Sequence, residues 1–586
     1  MANSFNYSDY PVIIGIDFGT TYSACSYAIV HNNEIVDISK WPRQQSNIYP
    51  KVPTLSLYRK GSKQLVDWGY SAKRIGMKPN SHKDFLLLSK FKLYLDHQVK
   101  HTSPLPNDLH IIDVIADYLQ VLYYHIKSEL RKGFAINYNE QKYRYCLTVP
   151  AMFNDQAKAI MREAAIQANI ISRSDHPDRL MLISEPEAAA LYCEKKSEQF
   201  NLTQGQRFMI CDAGGGTVDL IVFEIDKKDG RRYLKEVTSG QGASCGSGFL
   251  DERMRQYIHQ KFITYGEIND HTMDYIMDTF INIIKPEFDG LEDHFIELPG
   301  SMGLSNITDP SIGLENGCLH LPVSELLLYI FDPIVQQVLD LIEHQLKQSP
   351  ILEAIFLVGG FGQSNYLFRR IEESFAHRVG MIGVPPRGEL AVVRGAVYFG
   401  LYPHIVTERV SRRTYGVETR MLFQPDLDPQ EYFVIGRDQK HYCRKRFSIY
   451  VKKGQSIKVN ECITKQFVIS YPNNTDSDLY AFDGDEMDIP RLTTDPQIQK
   501  VGHFPIVMPK LNGVKKGEKV KITINMYFGL TEIKIICFIG NNSFTFTSKF
   551  DTSSSFDNNL LPSSPTIQPI LFNNNNNSNR HTFNQK

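Results

Sequence analysis

Phe208-Met209-Ile210-Cys211-Asp212-Ala213-Gly214-Gly215-Gly216-Thr217-Val218-Asp219 is the stretch on which the reading of this chain turns. An apolar run delivers an aspartate to three glycines and a threonine. The same grammar occurs earlier in Ile13-Ile14-Gly15-Ile16-Asp17-Phe18-Gly19-Thr20-Thr21, where Asp17 precedes Asp212 by 195 positions. A strand that hands a carboxylate to a turn without Cβ atoms suits a polyphosphate and its divalent metal. Glycine lets backbone N–H groups approach phosphate oxygens, threonine adds a hydroxyl, and aspartate holds metal-bound water. Two such turns predict a clamp for a nucleoside triphosphate between related halves, with Asp17 and Asp212 reaching Mg²⁺ through water. Gly19, Thr20 and Thr21 would line one side, and Gly214, Gly215, Gly216 and Thr217 the other. Consecutive glycines cost backbone entropy, so packing alone explains them poorly.

Outward from these turns, strand signals at Val12–Ile16, Tyr22–Val30, Thr54–Tyr58 and Tyr145–Val149 alternate with helical periodicity over Ile111–Leu130 and Asp155–Asn169. The second turn opens a similar series: strands Arg207–Cys211 and Val218–Ile225, helices Phe249–Tyr265 and Met273–Ile284, and a long helix Val323–Gln348 before strand Ile351–Val358. This alternation predicts an α/β fold. After about residue 410, five strand-like runs and a turn at Asn541-Asn542 predict a smaller antiparallel β domain. The expected organisation is a flexible 1–10, a first lobe 11–205, a second lobe 206–401, a linker 402–415, a β domain 416–550, and a disordered Ser/Asn-rich tail 551–586.

Bulk properties narrow the field. A chain of 586 residues needs about three or four domains or subdomains. A net charge of -1 argues against a general nucleic-acid or membrane-surface binder. No apolar run reaches the roughly 18 residues of a membrane span. Nine scattered cysteines without a CxxC pair read as reduced thiols, which predicts a cytoplasmic protein.

Two further motifs carry chemistry. In Ser184-Glu185-Pro186-Glu187-Ala188-Ala189-Ala190, Glu185 is either a helix-start carboxylate favoured by the dipole or a fixed group that orients an attacking water. Gly359-Gly360-Phe361-Gly362-Gln363-Ser364 is either a tight turn or a backbone surface on which adenosine lies flat.

In this order, the two turns, Val149-Pro150-Ala151-Met152-Phe153-Asn154-Asp155, Ile183-Ser184-Glu185-Pro186 and Leu357-Val358-Gly359-Gly360 resemble the actin-like ATPase superfamily, specifically the 70-kDa heat-shock chaperones. The resemblance covers about residues 11–401, and with Ser411-Arg412-Arg413-Thr414-Tyr415-Gly416-Val417 it is nearest the divergent 12A/12B branch. It implies a duplicated ribonuclease H-like fold that binds ATP or ADP with Mg²⁺. It also implies a catalytic group of Asp17, Glu185, Asp212 and a lysine beside the γ-phosphate. Lys90 is the candidate and Lys92 the alternative, while an exposed helix lysine is the competing reading. Tyr22, Gly246, Lys285, Gly359, Gly360 and Phe361 would complete the nucleotide contacts. Pro150 would be an interdomain switch, with Lys158 in place of its usual arginine partner.

The chain also departs from that pattern. Lys285-Pro286 stands where a Lys-Arg pair is usual, and proline cannot stack on adenine by cation–π contact. The leucine-rich linker is replaced by Tyr402–Val410, and nothing after Phe550 reads as a helical lid. The resemblance therefore implies a lidless, slowly hydrolysing, stress-response type chaperone whose β domain takes extended polypeptide clients. The alternative is a nucleotide-gated scaffold or sensor with little turnover. A sugar-kinase-like enzyme would need a substrate aspartate base between the lobes, for which the chain offers no candidate.

Overall fold

A computed structural model describes residues 7–547, apart from 45–48, 79, 97–104, 106–107, 135–138, 197–199, 201, 264–267, 269, 301–302, 304–306, 437 and 541. The expected flexible start falls largely, and the expected polar tail wholly, outside the described residues. The chain forms two compact units, one spanning Tyr7–Val410 and the other beginning at Ser411.

The first unit repeats one five-strand order in two sheets. In one sheet the order is Ile35–Asp37, Tyr22–Ile29, Val12–Asp17, Tyr143–Val149, Leu180–Ser184. The first two junctions are antiparallel and the last two parallel. In the other the order is Arg231–Glu236, Val218–Lys228, Arg207–Ala213, Ala354–Val358, Met381–Gly383, with the same succession of directions. Each aspartate-bearing strand is therefore central and covered on both faces. That is why Val12–Asp17 is buried at every position and Arg207–Ala213 at all but the first.

Helices cover these sheets. Glu185–Lys195 starts with Ser184 accepting a hydrogen bond from the Glu187 N–H at 3.4 Å, and its alanines are fully buried. The two long helical signals are interrupted where proline requires it. Phe280–Ile284 and Leu327–Phe331 are single π turns, each followed within two residues by Pro286 or Pro333, whose missing N–H breaks the regular ladder.

Helix Ala391–Leu401 lies within the span expected for the second lobe, yet it packs on the first sheet. The absent side chain of Gly15 leaves room for the Val393 carbonyl, and Gly400 sits against Ile13 and Cys146. Arg394 Nε donates to Asp37 Oδ1 at 2.9 Å. The same helix crosses Glu185–Lys195 with Gly395 against the Ala188 carbonyl, an approach that only glycine allows. Inside the span expected to be linker, Val406–Val410 is a strand parallel to Arg231–Glu236.

The second unit is wholly antiparallel. One sheet runs Phe433–Ile435, His441–Val451, Thr414–Leu422, Thr475–Phe482, Ile498–Ile506, and the other Ile463–Ser470, Lys519–Tyr527, Lys534–Ile539, Asn542–Thr547. Val417, Leu479 and Phe504 of the first share one core with Ile522, Ile524, Ile535 and Cys537 of the second. The last hairpin is shifted from expectation: Ile539 pairs with Asn542, so Asn542 begins a strand and Gly540, at φ 58°, enters the turn. Asn541 lies outside the described residues. Among the described residues no helix is long and apolar enough to cross a membrane. Seven of the nine cysteines are buried, and all nine are free thiols.

Candidate functional site: two opposed turns around buried carboxylates

The two glycine–threonine turns abut. A Cβ on Gly215 would strike the Thr21 side chain, and one on Gly216 the Thr20 side chain. Gly19 passes equally close to the Tyr22 carbonyl. The second turn is shaped by the start of helix Ser247–Lys261. Ser247 N–H donates to the Gly214 carbonyl at 3.1 Å, Gly248 N–H to Gly215 at 2.7 Å, and Gly246 N–H to Gly216 at 3.0 Å. In a trans peptide the C=O and the following N–H point opposite ways. The N–H groups of Gly215, Gly216 and Thr217 therefore face away from that helix. The Gly214 N–H closes the turn on the Thr217 carbonyl at 3.0 Å.

Behind the turns lie the acids. Asp17, Asp212, Glu185 and Asp219 are all buried. Burial raises the Asp212 carboxyl well above the ordinary range, and Glu185, Asp219 and Asp17 push it further. Burial lifts Glu185 to about 7, opposed by Lys92 and reinforced by Asp219 and Asp17. Four carboxylates thus share one desolvated site with two lysines. Lys92 Nζ donates to Glu185 Oε1 at 2.6 Å and to the Phe18 carbonyl at 2.5 Å. Lys51 Nζ donates to Asp17 Oδ2 at 3.0 Å, while Thr148 donates to Oδ1 at 3.1 Å. Burial pulls the Lys51 ammonium down, but Asp17, Tyr49 and Asp212 together outweigh it and hold the ammonium above its usual value. Asp219 Oδ1 accepts from Met152 N–H at 3.1 Å, which ties the segment after Pro150 to the second turn.

The third glycine turn meets the same centre. Gly359 has φ 80°, and a Cβ there would lie 2.6 Å from Asp212 Oδ1. Gly360 leaves a Cβ position 3.7 Å from the Tyr49 hydroxyl, and the Tyr49 ring meets the edge of Tyr22 at 5.1 Å. Phe361 is buried in the apolar core of the second sheet's helices.

Not every expected residue joins the acids. Lys90 sits at φ 55°, and its Nζ donates to the Gly248 carbonyl at 3.0 Å on the second-turn side. The lysine that reaches Glu185 is Lys92, two residues later. Lys285 is held by Asp251 at 2.6 Å. Lys51 and Thr148 carry no expectation from the sequence, because no spacing rule links either to position 17.

The acids suit a magnesium–triphosphate. Burial and mutual repulsion disfavour the ionised forms of Asp212 and Glu185, and a divalent cation beside them would favour those forms. Among the described residues, no three His, Cys, Asp or Glu side chains are grouped closely enough to ligate a metal directly. Asp17 and Asp212, whose strands lead into the two turns, are the residues that would hold Mg²⁺ there.

Comparison with known proteins places the chain among related sequences. The Hsp70 protein family model matches residues 126–400. Human heat shock 70 kDa protein 12B is 25% identical over 90% of this chain and 89% of its own length. Human heat shock 70 kDa protein 12A is 24% identical over 89% of each. Chaperone protein DnaK of Thermoplasma volcanium is 26% identical over 70% of this chain and 62% of its own.

Proposed function

We propose, for a chain that carries an Hsp70 domain and aligns along nine-tenths of its length with heat shock 70 kDa protein 12B, that the opposed turns bind ATP or ADP with Mg²⁺ and hydrolyse ATP slowly. The observation that carries this reading is that the two turns abut, that Gly359 lies against Asp212, and that the buried acids Asp17, Glu185, Asp212 and Asp219 act on one another electrostatically. Mg²⁺, when bound, supplies charge to the transferring phosphoryl group.

The chain's own residues do the rest. The N–H groups of Gly215, Gly216 and Thr217 cradle phosphate, and Thr20 and Thr21 offer hydroxyls. Glu185, with its carboxyl near neutrality, positions the attacking water and takes its proton. Lys92 fixes the Glu185 oxygen that it holds at 2.6 Å and, rather than Lys90, serves as the lysine beside the γ-phosphate. Gly359 and Gly360 present bare backbone to the nucleoside. Gly246 shapes the second turn from behind, and Lys285 borders the nucleoside side from its pairing with Asp251.

The β unit then binds an extended polypeptide, and its edge strand Ile463–Ser470 offers one free flank for strand addition. Val468 on that strand is exposed, which suits an apolar client. The protein acts as a chaperone-like ATPase in which nucleotide state sets client affinity.

Single-turnover hydrolysis by the full chain and by Glu185→Gln tests this. Wild type is expected to turn over bound ATP slowly, and the variant to bind it with turnover reduced by about 10²–10⁴-fold. Equal binding without turnover in both proteins would replace this reading with that of a nucleotide-gated scaffold.

A further inference from the structure

Lys51 lies outside every glycine turn, yet its segment is tethered residue by residue. Gln44 Nε2 donates to the Tyr49 carbonyl at 2.7 Å, Trp41 Nε1 to the Pro50 carbonyl at 3.0 Å, and the Tyr70 hydroxyl to the Lys51 carbonyl at 3.0 Å. Val52 and Pro53 pair with Ser23 and Tyr22 in register. Tyr118 donates to the Pro53 carbonyl at 3.2 Å. Thr54 then clasps the first turn twice, through its hydroxyl to the Gly19 carbonyl at 2.8 Å and its N–H to the Thr21 carbonyl at 2.8 Å. The segment is a rail bolted to the first turn, and it delivers one charged group inward.

That group is 7% exposed and ends 3.0 Å from Asp17 Oδ2. The plain alternative is a structural counter-charge. Such a role needs only the pair, and a buried pair is commonly replaced by apolar packing without loss. It does not explain a rail that couples the lysine's position to the phosphate turn itself. An ammonium carries three N–H donors, of which Asp17 accepts one. Its depth also places it where the charge of Asp212 acts on it, while Lys92 is engaged by Glu185.

We infer that Lys51 is a tethered cation of the nucleotide clamp, keeping one N–H on Asp17 and giving another to the polyphosphate, so that nucleotide binding persists when divalent metal is withdrawn. The inference rests on the clamp reading above and adds a residue and a metal dependence to it. Lys51 is a binding group under this assignment, and hydrolysis remains tied to Mg²⁺.

The test is calorimetric titration of ATP into the full chain with Mg²⁺ and again with excess EDTA, for wild type, Lys51→Met and Lys51→Arg. Wild type is expected to lose less than about tenfold in affinity in EDTA. Lys51→Met, which keeps the side-chain length, is expected to lose about 10–100-fold beyond its value in Mg²⁺, the worth of one charged hydrogen bond. Lys51→Arg restores most of that loss. The inference is overturned if EDTA abolishes wild-type binding, a result that requires no variant to fold. It is equally overturned if Lys51→Met is weakened no more in EDTA than in Mg²⁺. Failure of wild type to bind ATP even with Mg²⁺ would remove the clamp reading and this inference together.

Discussion

At the scale of single residues, the site is governed by the charges it buries. Glu185 has a carboxyl at about 7 in the folded chain against an ordinary 4.5, chiefly because it is desolvated. The folded state therefore binds a proton more tightly than the unfolded state between those values. Stability from this group is fully present below about 4.5 and is lost as pH rises through about 7. Glu185→Gln cannot titrate there, so its nucleotide-free melting temperature should fall less than that of wild type across that window. Parallel slopes for the two proteins would contradict the assignment. The same scale shows what the sequence could not reveal. Lys90 and Lys92 look alike in Ser89-Lys90-Phe91-Lys92, but Lys90 takes a left-handed backbone at φ 55° before the short helix Phe91–Leu95. Residues two apart across that bend point different ways, and only Lys92 meets Glu185. Asp17, Asp212 and Glu185 were legible because each lies at or beside a strand end or starts a helix, next to its own local signal. Lys51 was not, because its meeting with Asp17 is made by the fold and no local pattern records it.

At the scale of elements, the helix Glu185–Lys195 joins the site to the rest of the unit. Its first residue is Glu185, and its third, Glu187, accepts from Arg409 Nε at 3.2 Å. Arg409 lies in the strand Val406–Val410, whose last N–H donates to Glu236 Oε2 at 2.8 Å. Both partners of the Arg409–Glu187 pair are largely buried. Arg409→Ala should therefore destabilise the Tyr7–Val410 unit by about 3 kcal/mol, read by chemical denaturation. Loss of less than about 1 kcal/mol, the value typical of a surface pair, would show that the pair is not held tightly. On the other face of the same helix, Gly395→Ala would drive a Cβ into the Ala188 carbonyl. Overpacking of that kind should cost about 3 kcal/mol or abolish folding. A variant as stable as wild type would contradict the close crossing. The sequence analysis set no helix at Ala391–Leu401, and a run apolar on nearly every side does not say which sheet it covers. The strand within residues 402–415 was equally hidden, because Val406-Thr407-Glu408-Arg409-Val410 has only two apolar ends and three polar residues between.

At the scale of the whole molecule, one unit carries the carboxylate clamp and the other a separate antiparallel sandwich with its own core. Two cores predict two thermal transitions, of which a ligand of the clamp should raise only one. At about 100 times its dissociation constant such a ligand adds about 2.7 kcal/mol to the state that binds it. A single transition that shifts as a whole would mean that the units melt together. The duplication was legible from the repeated strand-Asp-Gly-Thr pattern, since each copy sits on the middle strand of the five-strand order that the two sheets share. The central claim is that the opposed turns and their acids bind magnesium–ATP. Its most direct test is calorimetric titration of Mg²⁺-ATP into the full chain and into Asp212→Ala. The account predicts saturable one-to-one binding by wild type and at least about a hundredfold weaker binding by the variant, about 2.7 kcal/mol. Equal affinity in both proteins, or none in wild type, would contradict it.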